Sequence, residues 1–258
     1  MINLLLCCLV SQALASTALA ASILTSGDTR VVVAGPLGAV RLVTNDDRSV
    51  VSALSGNGVV LQFGDGVWSG EGHGRESLQS RTLTIDGIPT NLRDGENYSG
   101  DVIKYTRVIQ LDNTVRVTHT LTVSGNGYDH SIVLSGHALR GIQLAYLPAE
   151  TRSNRFTEVE LRRRGVVLDS ATTSSNNGAF YRPVEGSTAD AILQFDPVVG
   201  DGVVTRWANP IGVRIDPWVW DRTFDNKLYL LAPHYSNSRF PASLDVSVRF
   251  CDGADCYP

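Results

Sequence analysis

Long apolar runs are almost missing from this 258-residue chain. Residues 4–10 form one, and nothing after them approaches the ~20 apolar residues that a membrane-spanning helix needs. Lysine is scarce as well: Lys104 and Lys227 are the only two among 22 basic residues. With a formal charge of −4, the chain carries no footprint for nucleic acid. The five histidines fall in no HxH or HExxH spacing, which leaves a zinc or cupin-type metal site without support. No G-x-S-x-G elbow is present, so a hydrolase of the α/β type is excluded. The glycines separate strand-like runs and do not open helices, so no phosphate cradle forms. No motif calls for a cofactor. No long segment shows helical periodicity with caps, which leaves an all-β chain.

What is present begins with an export signal. Residues 4–10 are followed by small residues, and Ala18-Leu19-Ala20 has the A-x-A form of a signal-peptidase site, with cleavage after Ala15 as the alternative. The expected fate is a secreted or periplasmic protein, residues 1–20 being the signal peptide. Cys7 and Cys8 lie inside the apolar run, too early for a lipoprotein site. Residues 21–258 are then of a size for a single β-sandwich domain. Their two cysteines, Cys251 and Cys256, are expected to form a disulfide that closes a short loop in an oxidising compartment. Asn97-Tyr98-Ser99 is a glycosylation sequon, relevant only where the source glycosylates.

Strand-like runs recur at 30–34, 39–44, 59–63, 80–85, 102–111, 115–124, 130–135, 141–147, 157–161, 166–169, 191–195, 212–215, 227–231 and 244–250. So many strands in one domain call for two stacked antiparallel sheets, because a single open sheet would leave an apolar face in water. Residues 64–76, with five glycines, Trp68, His73 and Arg75, read as a long loop suited to a site wall. The stretch 170–178 reads as a second loop.

Registers follow from the turns. A three-residue loop, Asp112-Asn113-Thr114, pairs Leu111 with Val115, Ile109 with Val117 and Arg107 with His119. Asn126-Gly127 is the residue pair of a type I′ hairpin, which sets Gly125 opposite Tyr128, Val123 opposite His130 and His119 opposite Leu134. Arg107 and His119 are therefore expected side by side on an apolar face, with His130 about 13 Å from His119. His137 falls in the following turn.

The segments SLQSRTLTIDG (77–87), YTRVIQLDNTVRVTHTLTVSG (105–125) and DPWVWDRTFDNKLYLLAPHYS (216–236) resemble the galactose mutarotase-like β-sandwich, the supersandwich of many secreted carbohydrate-active proteins. The asparagine–histidine motif and catalytic-glutamate region of sugar mutarotases are absent. The resemblance implies a sugar-facing concave sheet and a polysaccharide or oligosaccharide as substrate or ligand. Polysaccharide lyases and non-catalytic domains share this fold.

Three functions suit these residues. In a lyase cleaving a uronate glycan by β-elimination, His119 is the base, Arg107 clamps the carboxylate, and Tyr105 or Tyr146 is the acid. In the alternative for the same pair, both side chains meet a buried carboxylate and order the sheet. A carbohydrate-binding protein would use Trp218 and Trp220, alternating in phase, with Trp68, Arg75, Arg140, His234 and Tyr235 as further glycan contacts. The Arg162-Arg163-Arg164 run offers charge to a polyanion or belongs to solvated surface. The third reading is an envelope adhesion protein with an arginine-rich, lysine-poor surface. The oligomeric state is open.

Overall fold

The computed structural model describes residues 29–34, 39–44, 50–54, 59–63, 68–70, 73–93, 96–98, 100–111, 115–124, 127–136, 141–152, 156–173, 180–181, 188–198, 200–208, 215–221, 225–232 and 243–251. Every element among them is a strand. In chain order they are β1 (Thr29–Ala34), β2 (Ala39–Thr44), β3 (Val50–Leu54), β4 (Val59–Phe63), β5 (Trp68–Gly70), β6 (Glu76–Ile85) and β7 (Ile88–Thr90). There follow β8 (Asn97–Tyr98), β9 (Val102–Leu111), β10 (Val115–Ser124), β11 (Gly127–Gly136), β12 (Gly141–Arg152), β13 (Glu158–Arg163) and β14 (Val166–Thr172). The last six are β15 (Phe180–Tyr181), β16 (Ala191–Phe195), β17 (Gly202–Trp207), β18 (Asp216–Asp221), β19 (Asp225–Ala232) and β20 (Ser243–Cys251).

These strands make two ten-stranded antiparallel sheets. The first runs β15-β18-β19-β12-β3-β2-β1-β8, with β4 joining through β12 and β5 through β4. The second runs β14-β13-β16-β17-β20-β11-β10-β9-β6-β7. One apolar cluster takes Val59, Leu61, Tyr146 and Leu230 from the first sheet and Ile109, Leu121, Tyr128 and Val248 from the second. The protein is therefore a two-sheet β-sandwich, as the run of short strands predicts. Gln194 on β16 also crosses the core, donating from Nε2 to Thr151 Oγ1 on β12 at 2.9 Å. Each fully buried aliphatic or aromatic side chain in this core contributes about 1.5–3 kcal/mol.

Alternation sets which side chains look inward. Along β9, Ile103, Tyr105, Arg107, Ile109 and Leu111 are buried, while Lys104 is exposed and Thr106, Val108 and Gln110 are half-buried. Two hairpins show the backbone conformation of type I′ turns: Asp86-Gly87 (φ 51° and 79°) between Ile85 and Ile88, and Arg164-Gly165 (φ 47° and 80°) between Arg163 and Val166. Asp86 earns its place twice over, because its Oδ1 also accepts from the Val102 N–H at 2.8 Å.

The predicted β9–β10 register is the observed one, with Arg107 opposite His119. The β10–β11 register is not. Ser124 pairs with Gly127, Val123 with Tyr128, Leu121 with His130 and His119 with Ile132, two residues away from expectation. Gly127 is a ladder residue and not half of a turn. A Cβ there would run into the Val248 carbonyl oxygen on β20 and stand 2.9 Å from the Arg249 Cα, so close strand approach is what requires glycine. A shift of two preserves the inward and outward faces but changes every neighbour.

Other expectations also change. The stretch 64–76 is not all loop: Trp68 lies on β5, paired with Gln62 of β4, and Glu76 opens β6. Strands β3, β5, β7, β8, β15, β17 and β18 were not among the predicted runs. Of 212–215 only Ile215 is described, and it is buried. The predicted 170–178 loop begins later, because β14 continues to Thr172. Cys251 ends β20, while Cys256 lies outside the described residues.

Gly127→Ala should cost about 1–3 kcal/mol by overpacking against β20. Gly87→Ala has open space but keeps a left-handed backbone, and should cost about 1–2 kcal/mol. Urea midpoints of the two variants check this, and an unperturbed Gly127→Ala would contradict the observed β11–β20 contact.

Candidate functional site

The residues expected to carry elimination chemistry come from three strands whose alternation turns them inward. Arg107 on β9 and His119 on β10 are both 0% exposed, Tyr105 is 1% exposed and Tyr146 on β12 is 0% exposed. The shifted register brings His130 into the group. Its Nε2 lies 3.2 Å from His119 Nδ1, with the two rings stacked at 5.4 Å between centroids and 22° between planes. The expectation that His130 stands about 13 Å away is thereby corrected: it is diagonal to His119 across the ladder, in hydrogen-bond contact.

Both imidazoles are held neutral. Burial lowers His119 well below its ordinary value, and the Arg107 charge and His130 lower it further. His130 is lowered to about 3 by burial and then by Arg107. Tyr146 is pushed up by burial. Of the two neutral rings, one donates through the shared bond and the other accepts. The remaining His119 Nε2 and His130 Nδ1 are buried and have no hydrogen-bond partner among the described residues. A neutral imidazole can accept a proton, but a general base must come within about 2.6–3.2 Å of the carbon-bound proton or reach it through one water. His119, fully enclosed, offers a polymer no such approach, and His130, 1% exposed, borders a cavity on the outer face of the second sheet. Among the described residues, no group of three or more His, Cys, Asp or Glu side chains is placed to hold a metal ion.

The outward faces differ from each other. On the first sheet Trp218 and Trp220 of β18 are half-buried while Val219 between them is in the core, so the two indoles share the outer face. Tyr229 stands opposite Trp218 on β19, and both pack on Val60. Trp68 is on β5 of the same sheet. Arg75 is exposed, has φ 61°, and its carbonyl accepts from Ser69 Oγ at 3.3 Å. Arg140, His137, His234 and Tyr235 lie outside the described residues. On the second sheet two cavities of about 400 and 340 Å³ adjoin on the outer face and share Arg206 and Trp207 of β17, neither of which the sequence patterns single out.

With that geometry in view, solved structures can be compared. The GH36 alpha-galactosidase AgaB from Geobacillus stearothermophilus superposes with a TM-score of 0.50 at 10% identity, over 90% of this chain and 41% of that one. The alpha-N-acetylgalactosaminidase NagBb from Bifidobacterium bifidum, in complex with GalNAc, gives 0.49 at 10% identity, over 88% of this chain and 36% of that one. The likeness is one of fold. The chain spans about two fifths of the length of that galactosidase. No family model matches, and no curated protein is similar in sequence.

The buried pair generates a pH prediction. Above about pH 6.5 the two imidazoles are neutral whether the chain is folded or not. Below it the unfolded chain takes up two protons that the core refuses, so stability falls by up to about 1.4 kcal/mol per pH unit per histidine. For His130 the loss continues down to about pH 3. Unfolding free energies between about pH 7 and 4.5 should fall less steeply in His130→Leu than in the natural chain by one proton's worth. Equal slopes would mean that His130 does not resist protonation in the fold.

Proposed function

We propose that this protein is an exported carbohydrate-binding β-sandwich that holds a polysaccharide or oligosaccharide on the outer face of its first sheet. The observation that carries the reading is the pair Trp218 and Trp220, outward in phase, half-buried and flanked by Tyr229. Two residues apart on one strand face, they stand about 7 Å from each other. Indole rings are large and apolar with a polar N–H at one edge, which suits the apolar face and hydroxyl rim of a sugar ring. Half-burial fixes each ring before the ligand arrives, so little side-chain entropy is lost on binding. The fold likeness to an alpha-galactosidase agrees with a carbohydrate ligand.

The lyase reading is the weaker one. It needs Arg107, His119 and a tyrosine to reach a sugar, and all of the candidates are within 1% of complete burial. On our reading Arg107 and His119 are structural. Export and a Cys251–Cys256 disulfide complete the proposal, and mass analysis of the mature protein with and without reductant tests both.

The deciding measurement is retention on a panel of immobilised neutral and acidic polysaccharides, followed by calorimetry on whichever binds. Trp218→Ala and Trp220→Ala should each weaken binding by about tenfold or more while melting temperature changes little. His119→Ala should lower melting temperature and leave affinity in place. Binding unaffected by both tryptophan variants would place the ligand elsewhere, and no retention by the natural chain would sink the reading in favour of an adhesion role. Incubation with uronate polysaccharides should produce no rise in the ultraviolet absorbance of unsaturated sugar; a rise would restore elimination chemistry.

A further inference from the structure

The outer face of the second sheet, opposite the tryptophan pair, carries its own chemistry. The smaller of its two cavities is bordered by Arg162, Arg164, Asp190, Arg206 and Trp207. Arg162 is matched by Glu160, bonded through Nε at 2.9 Å and also through its terminal nitrogen. Asp190 accepts from the Arg164 backbone N–H at 3.1 and 3.2 Å, which fixes the β13–β14 turn. The guanidinium groups of Arg164 and Arg206 are exposed and have no hydrogen bond or ion pair among the described residues. With Arg162 neutralised by Glu160, these two charges against Asp190 leave the cavity with a surplus of one positive charge. Trp207, only 5% exposed, borders both cavities, and its indole N–H has no acceptor among the described residues. A buried donor without an acceptor is costly unless something supplies one.

The larger cavity is bordered by the hydroxyls of Thr120, Thr122, Ser131 and Ser247 and by the Asp245 carboxylate. Asp129 lies there as well, with its charge met by Arg249 at 2.6 Å. Hydroxyls and a carboxylate exchange hydrogen bonds with a polyol, and they repel no neutral sugar. From the β13–β14 turn to β10 the two cavities span five strand spacings, about 24 Å.

We propose that this face is a second carbohydrate site, specific for an acidic saccharide whose carboxylate lies between Arg164 and Arg206 while the adjoining sugar unit occupies the hydroxyl-lined cavity. The saccharide part rests on the carbohydrate-binding reading of the protein; the anionic part does not.

Calorimetry with trisaccharides of galacturonate, glucuronate and mannuronate, each also as its methyl ester, tests it on the full mature chain. One acid should bind, its ester about tenfold or more weakly, and the acid's affinity should fall as salt rises. Arg206→Ala and Arg164→Ala should each lower affinity for the acid about tenfold, and Arg206→Lys less. Equal binding of acid and ester, or arginine variants that bind like the natural chain, overturns the inference while leaving the carbohydrate reading intact. Full competition by inorganic phosphate would reduce the site to an anion site without a saccharide. Failure of the natural chain to bind any acid or ester in this panel overturns it too, and failure on the neutral polysaccharides as well would take the carbohydrate reading with it.

Discussion

A guanidinium that cannot give up its proton lies fully buried between the two sheets at Arg107, and the organisation of the second sheet around it follows from that. Imidazoles can lose their charge, so the neighbouring His119 and His130 do, and as neutral rings they become each other's hydrogen-bond partner. The arrangement sets a cation and two polar rings among the apolar or aromatic side chains of Tyr105, Ile109, Leu121 and Ile132. A one-residue slip of β10 would turn His119 outward, away from Arg107 and His130, and the Thr118, Thr120 and Thr122 row inward. Buried polar groups of this kind are expensive when mispaired, which makes the register they occupy costly to leave.

Much of the sandwich was readable because alternation and turn chemistry point the same way. The run 102–111 alternates cleanly, and a three-residue loop to 115 leaves only one pairing that keeps Leu111, Ile109 and Val117 on the apolar side, which is the one found. The β10–β11 pairing failed for a different reason. Asn126-Gly127 satisfies a type I′ turn as well as any pair of residues, but the preference is local and modest. It loses to the close approach of β20 behind Gly127, a contact that no local pattern reveals. The error was even-numbered, so faces survived while His130 was misplaced. Strand β17 was invisible because Gly200-Asp201-Gly202 before it and Asn209-Pro210 after it look like punctuation, and Val203-Val204 alone reads as a fragment between turns. That strand carries Arg206 and Trp207. The alternation of Trp218 and Trp220 was legible, but which side of the sheet they take depends on where the other sheet lies.

The inward group and the outward surfaces also differ in what they can do. Chemistry on a polymer needs a residue that is both reactive and reachable, and here the two properties are separated. His119, His130 and Tyr146 have the unusual electrostatics, yet these arise mainly from burial, the same burial that keeps His119 and Tyr146 from a substrate. Perturbed titration in this core is therefore a signature of structure. The reachable groups, Trp218, Arg164 and Arg206, are ordinary ones set on strands or a tight turn. Rigid placement of ordinary groups suits recognition, since it lowers the ordering cost of binding without asking any residue to move a proton.

The two proposed faces, on opposite sides of one sandwich, cannot serve a single sugar ring. The sheets alone are about 10 Å apart, and outward side chains add to that distance on each side. One proposed face offers adjacent aromatics, whereas the other offers hydroxyls beside two guanidinium groups that have no partner among the described residues. A polymer held by both would have to be long enough to pass around a sheet edge, or two separate strands would be held at once. In the second arrangement each contact raises the effective concentration for the next only when strands lie side by side, as they do in a gel or an envelope matrix. Affinity for isolated oligosaccharides would then be modest on either face, and retention on a dense polysaccharide would exceed what either face achieves alone.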